Sequence, residues 1–129
     1  MIEQIKLFET NTIAIEIIDG FTEADQKMIK KWFQEKKDSG YDHINLLVKL
    51  DELKISQSSV KAFMEDAIWA IRNYKHLGNL AVVSHSNIVK ARVPVHRFFF
   101  ERIQKGYEEK YFDISQLDEA FRFVSGSLN

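Results

Sequence analysis

Apolar and polar residues alternate in short blocks whose spacing changes along the chain. Residues 2–8 alternate loosely through Ile2, Ile5 and Leu7, and a turn signal follows at Thr10-Asn11. Residues 12–18 are rich in β-branched side chains, so the two runs predict a hairpin that ends at Asp19-Gly20. Thr22 with Asp25 three residues on imitates a capping box. Ala24, Met28, Ile29, Trp32 and Phe33 then repeat at helical spacing, and the helix is expected to stop at Ser39-Gly40. The nearly continuous apolar run 43–50 predicts a strand covered on both faces.

A polar stretch, Asp51 to Ser59, leads to Val60, Phe63, Met64, Ala67, Ile68, Ile71 and Tyr74, the clearest helical periodicity in the chain. Leu77-Gly78-Asn79 is read as its end, and Leu80-Ala81-Val82-Val83 as a second buried strand. Ser84 to Asn87 is read as a loop. Pro94 suits the first turn of a helix, which places a helix at about Val93 to Lys105, preceded by a looser turn at 87–92. Tyr111 to Ile114 is the last expected strand. Ser115 is expected to cap a final helix that buries Leu117, Ala120, Phe121 and Val124 and ends at Gly126.

The order is therefore ββαβαβαβα. It predicts an α/β fold with a mostly parallel sheet of about five strands, an N-terminal hairpin strand and four helices. A length of 129 residues, without linker or repeat, fits one domain spanning the chain. Ten Phe and two Trp supply a core.

The pattern resembles the STAS-like, or SpoIIAA-like, family of bacterial STAS/SEC14-domain proteins. The resemblance rests on Asp19-Gly20-Phe21-Thr22, Leu46-Leu47-Val48-Lys49-Leu50-Asp51, Leu80-Ala81-Val82-Val83-Ser84, Tyr111-Phe112-Asp113 and Glu119-Ala120-Phe121-Arg122-Phe123. It implies a non-enzymatic binding or regulatory module acting through protein contacts. Anti-sigma-factor antagonists of this fold switch partners through a phosphorylatable Ser in an Asp-Ser-Ser-Gly motif. The matching stretch here is Gln57-Ser58-Ser59-Val60, so Ser58 falls on the phosphorylated position while Gln57 and Val60 stand in place of Asp and Gly. The SEC14-like comparison implies the alternative, a carrier or sensor of a small apolar, lipid or anionic ligand.

In an open parallel sheet, ligands gather beyond the carboxyl ends of the strands. The connections at 19–21, 51–59, 84–87 and Ser115 should leave at that edge. Asp19, Asp51, Ser56, Ser84, His85 and Ser86 are thus candidate edge residues. Ser58 and Ser59 are a candidate phosphorylation or anion site at a helix start, where one serine of the group 56–59 also serves as a plain N-cap. Ser58, His85 and Asp51 compose a triad on paper, which keeps a weak hydrolase as a third reading.

Residues 84–105 hold Lys90, Arg92, Arg97, Arg102 and Lys105 against Glu101, with Phe98-Phe99-Phe100 interleaved. Arg92, His96, Arg97 and Phe100 form a candidate basic and apolar contact segment, for self-association, a protein partner or an anionic ligand; a solvated helix face is the simpler reading. The formal net charge of −1 does not favour nucleic acid. There is no Cys, no metal-ligand spacing among the four His and no glycine-rich phosphate loop, so neither metal nor cofactor is expected. No apolar run is long enough to span a bilayer and the N-terminus lacks a signal-peptide pattern, so a soluble, cytoplasmic protein is expected.

Overall fold

In a computed structural model, the residues described are 1–18, 22–50, 71, 74, 76–84, 102–104 and 107–126. Six strands form one sheet: β1 (Ile2–Leu7), β2 (Thr12–Ile17), β3 (Ile44–Leu50), β4 (Leu77–Ser84), β5 (Arg102–Gln104) and β6 (Tyr107–Asp113). Their order is β1-β2-β3-β4-β6-β5. The three central interfaces, β2 with β3, β3 with β4 and β4 with β6, are parallel. The outer pairs, β1 with β2 and β5 with β6, are antiparallel.

The helices among the described residues are α1 (Glu23–Asp38) and α2 (Leu117–Ser125), with a single 3-10 turn at Ile114–Gln116. α1 starts as its sequence predicts. The Thr22 hydroxyl accepts from the Asp25 N–H, and the Asp25 carboxylate accepts from the Thr22 N–H. Burial alone would raise the pKa of Asp25, but the Thr22 hydrogen bonds and the Met1 ammonium 3.0 Å away outweigh it and hold the carboxyl below its ordinary value. The helix stops at Ser39, and Gly40 follows with a φ of 106°, which glycine adopts without a Cβ clash. Lys36, in its last turn, donates to the carbonyls of Phe8 and Thr10 and so ties the helix end to the β1–β2 connection.

Strand alternation divides the apolar residues between two faces. Ile13, Ile15, Ile17, Leu46, Val48, Leu50, Leu80 and Val82 form a core with Ile29 and Phe33 of α1 and with Ile71. Met28 and Ala24 are exposed, so the buried stripe of α1 is narrower than its apolar pattern. Ala14, Leu47, Ala81 and Val83 pack on the other face against Ala120 and Val124 of α2.

At the amino ends of the parallel strands the sheet carries a polar ladder. Thr12 Oγ1 and Asn45 Nδ2 both donate to the carbonyl of Val124, at 2.9 and 2.7 Å. Asn45 Oδ1 accepts from the Asn79 N–H, and Asn79 Oδ1 accepts from the Glu108 N–H. These bonds satisfy backbone groups at the end of α2 and at the starts of β4 and β6 that are wholly or partly buried.

Several expectations are corrected. Leu77–Asn79 belongs to β4 and not to a helix end, because Asn45 reaches across to hold Asn79. The last strand begins at Tyr107, four residues before the expected Tyr111, because β5 pairs with its first half. Arg102–Gln104 is strand and not the last turn of a helix from Val93 to Lys105; two residues, Lys105-Gly106, separate it from β6, the length of a tight hairpin connection. Among the described residues the sheet also takes in the short β5, and it has an antiparallel pair at each side of its parallel centre. Four helices were expected and two occur among the described residues. The rest of the Val93–Lys105 helix lies outside them, as does the helix at 60–74 apart from Ile71 and Tyr74.

Candidate functional site

Parallel pairing decides where the strands deliver the chain. Ile17 stands opposite Leu50, Lys49 opposite Val83, and Ser84 opposite Asp113. β2, β3, β4 and β6 therefore end at one rim. The segments that leave them, at 19–21, 51–59, 84–87 and Ser115, are those that sequence reasoning assigned to a common edge.

On the α1 face of this rim, Ser84 closes β4 with only 2% of its surface exposed. Tyr111 lies on β6 one alternation before Asp113, so Ser84, Tyr111 and Asp113 share a face. Burial pushes the Tyr111 hydroxyl up to about 12; the neighbouring Ser84 side chain opposes the rise and the charge of Asp113 adds to it. Asp113 also caps the turn that follows. Its Oδ2 accepts from the Ser115 N–H and hydroxyl at 2.9 and 2.6 Å, and its own N–H donates to Gln116 Oε1. The expectation that Ser115 caps the last helix is thus reversed. Asp113 is the N-cap of the 3-10 turn, Ser115 is the donor, and α2 starts at Leu117 without a side-chain cap. A carboxylate wins this position because it takes both Ser115 donors at once.

On the α2 face, Glu16 and Lys49 are direct cross-strand neighbours and pair at 3.1 Å. Both are partly exposed, so the pair is worth at most about 1 kcal/mol. Its structural effect is to cancel the charge just behind the end of β2 and β3.

Of the candidate edge, phosphorylation and contact-segment residues, Ser84 is the one that is described, and it lies at the rim. Asp19, Asp51, Ser56, Ser58, Ser59, His85, Ser86, Arg92, His96, Arg97 and Phe100 lie outside the described residues, as does the whole Ser58–His85–Asp51 triad. Tyr111 and Asp113 were missed. Their period-2 relation was visible in Tyr111-Phe112-Asp113, but their register against Ser84 was not. Arg102, counted in the basic run as helical, sits on β5 opposite Glu109.

The hydroxyls of Ser84 and Tyr111 are buried beneath the rim, and Ser115 and Gln116 beside the Asp113 carboxylate are exposed on it. Among the described residues no group of three or more His, Asp or Glu is placed to hold a metal ion. Among them too, no helix is long and apolar enough to cross a membrane.

The buried tyrosines set an alkaline limit. Tyr74 is also pushed up to about 12 by burial, against an ordinary value of 10.0. The folded chain keeps these protons more firmly than the unfolded chain, so their contribution is complete below about pH 10 and lost as pH rises through about 12. Urea unfolding across that window should show falling stability, with a shallower fall in Tyr111→Phe than in the wild type. Parallel curves for the two would show that Tyr111 ionises alike in both states.

A family model described as SpoIIAA-like matches residues 12–125. That span runs from the first residue of β2 to the last of α2 and takes in every strand of the rim. Comparison with curated proteins and with solved structures returns no match.

Proposed function

The chain belongs to the SpoIIAA-like family, and from that premise we propose that it is a non-enzymatic regulatory or binding module that meets a protein partner through the rim at the carboxyl ends of β2, β3, β4 and β6. One observation carries the reading. Three successive parallel interfaces bring the ends of four strands together, and with them the chain into the segments at 19–21, 51–59 and 84–87. In an open sheet such an edge is the site for recognition, because the connections there vary while the strands beneath them hold still.

Packing supports a rigid base for such contacts. Ile17, Leu50, Val83 and Ser84 are all at most 2% exposed, so the rim stands on a filled core. Ser58 and Ser59 belong to the segment between β3 and β4 and are the proposed point of control. A phosphate there adds up to about two negative charges beside a partner surface, which opposes apolar contact.

The test is quantitative affinity purification from the native host with wild-type protein, Ser58→Asp, and Glu119→Lys as an exposed control on α2. A partner held by the wild type and the control but reduced about tenfold or more by Ser58→Asp is the expected result. Equal recovery by all three proteins would overturn the assignment of the rim. Native mass spectrometry of the purified chain should show its bare mass. A retained small molecule would instead establish the carrier reading.

A further inference from the structure

The edge strand β1 has a composition that fits one partner. Among the described residues it forms one margin of the sheet. Glu3, Gln4, Lys6 and Leu7 are exposed on it, Leu7 by 78%, and Met1 before it by 54%. Met1 and Ile18 exchange both backbone hydrogen bonds, Ile18 N–H to Met1 O at 2.8 Å and Met1 N to Ile18 O at 3.0 Å. Hydrogen-bonded and non-hydrogen-bonded pairs alternate along an antiparallel ladder, so Ile2 and Gln4 direct their backbone groups away from β2. An edge of this length, with its donors and acceptors turned outward, is a template for another strand.

Its side chains select the strand. Lys6 lies on the α2 face, its ammonium 5.2 and 5.0 Å from the ring centres of Phe8 and Phe121. A lysine on an edge blocks most incoming strands, and the irregularity between Gln4 and Lys6 adds to the protection. A strand that places an acid opposite Lys6 escapes the block.

We propose that β1 pairs antiparallel with β1 of a second copy of this chain, about a two-fold axis at Gln4, with Ile5 in each copy the extra residue of the irregularity between Gln4 and Lys6. In that register Glu3 of each copy faces Lys6 of the other, and Ile2 faces Leu7. The faces agree. Glu3 and Lys6 stand beside Glu16 and Ala14, on the α2 side, and Ile2 and Leu7 beside Ile17 and Ile13, on the α1 side. A slip of one residue puts Ile2 across from Lys6 on the wrong face. The interface is isologous, so each charge pair occurs twice. It joins two six-stranded sheets edge to edge and leaves the carboxyl-end rim of both copies open.

The experiment is sedimentation equilibrium of the full chain over a concentration series, with Glu3→Lys, Lys6→Glu, the double exchange and an equimolar mixture of the two single variants. Wild type and the double exchange should dimerise. Each single variant sets like charges opposite each other twice and should weaken dimerisation by about tenfold or more. The mixture should recover it, because one chain then presents two basic side chains at these positions and the other presents two acidic ones. A wild type that stays monomeric overturns the proposal, as does Glu3→Lys dimerising as tightly as wild type. If Lys6→Glu proves unfolded by circular dichroism, Glu3→Lys alone decides. These readouts report self-association and not rim binding, so the two readings fail separately.

Discussion

Leu47→Ala is expected to lower the unfolding free energy by about 2–5 kcal/mol, a large part of the stability of a chain this size. Leu47 is fully buried in β3, between β2 and β4, and packs against the short helix α2. With Ala14 and Ala81 as its cross-strand neighbours, it is the largest side chain in the middle of that face. Removing it leaves a void that small neighbours cannot fill, and the strands are held too firmly to collapse into it. Urea midpoints at unchanged slope measure the loss. Leu7→Ala, at an exposed position, should stay within about 0.5 kcal/mol. A loss below about 1 kcal/mol at Leu47 would mean that α2 does not seal this face.

The second large effect is a coupled one. A Cβ added at Gly78 runs into Asn45 Oδ1, the oxygen that accepts the Asn79 N–H. The backbone of Gly78 is not left-handed, so space and not conformation excludes alanine there. Gly78→Ala should cost about 1–3 kcal/mol by overpacking, and more if Asn45 leaves its partners. Asn45→Ala should cost about 2–3 kcal/mol, since it removes the acceptor for Asn79 and one of two donors to Val124. The double variant Asn45→Ala/Gly78→Ala should then be more stable than the sum of the two losses implies, by about 1 kcal/mol or more, because the obstacle is gone. Strict additivity would refute the clash.

The two residues also show why part of the fold was hidden in the sequence. Gly78 followed by Asn79 reads locally as the end of a helix. It is strand because Asn45, far back along the chain, ties Asn79 into β4. The segment Arg102–Gln104 follows Pro94 and a triplet of Phe, which favours a helical reading, yet its three residues pair with β6. A strand this short takes its identity from its neighbour and not from its own propensity. At the rim, the alternation of Tyr111 and Asp113 was legible, but that they meet Ser84 depends on the β4–β6 register.

What the chain determined by itself is local in range. The Thr22 and Asp25 capping box and the stop at Ser39-Gly40 follow from hydrogen bonds and torsions spanning a few residues. The end of α2 at Gly126, with a φ of 69°, follows in the same way. The apolar runs in β3 and β4 likewise required a strand covered on both sides, and the alternation of strands and helices implied parallel pairing and a shared rim. The Asp113 cap, overlooked in favour of Ser115, is local too, since its bonds span two or three residues. Tertiary structure decided the start of β4 and the side-chain neighbours at the rim. Both depend on groups far apart in the chain, whose bonds exist only after the sheet has closed the distance between them.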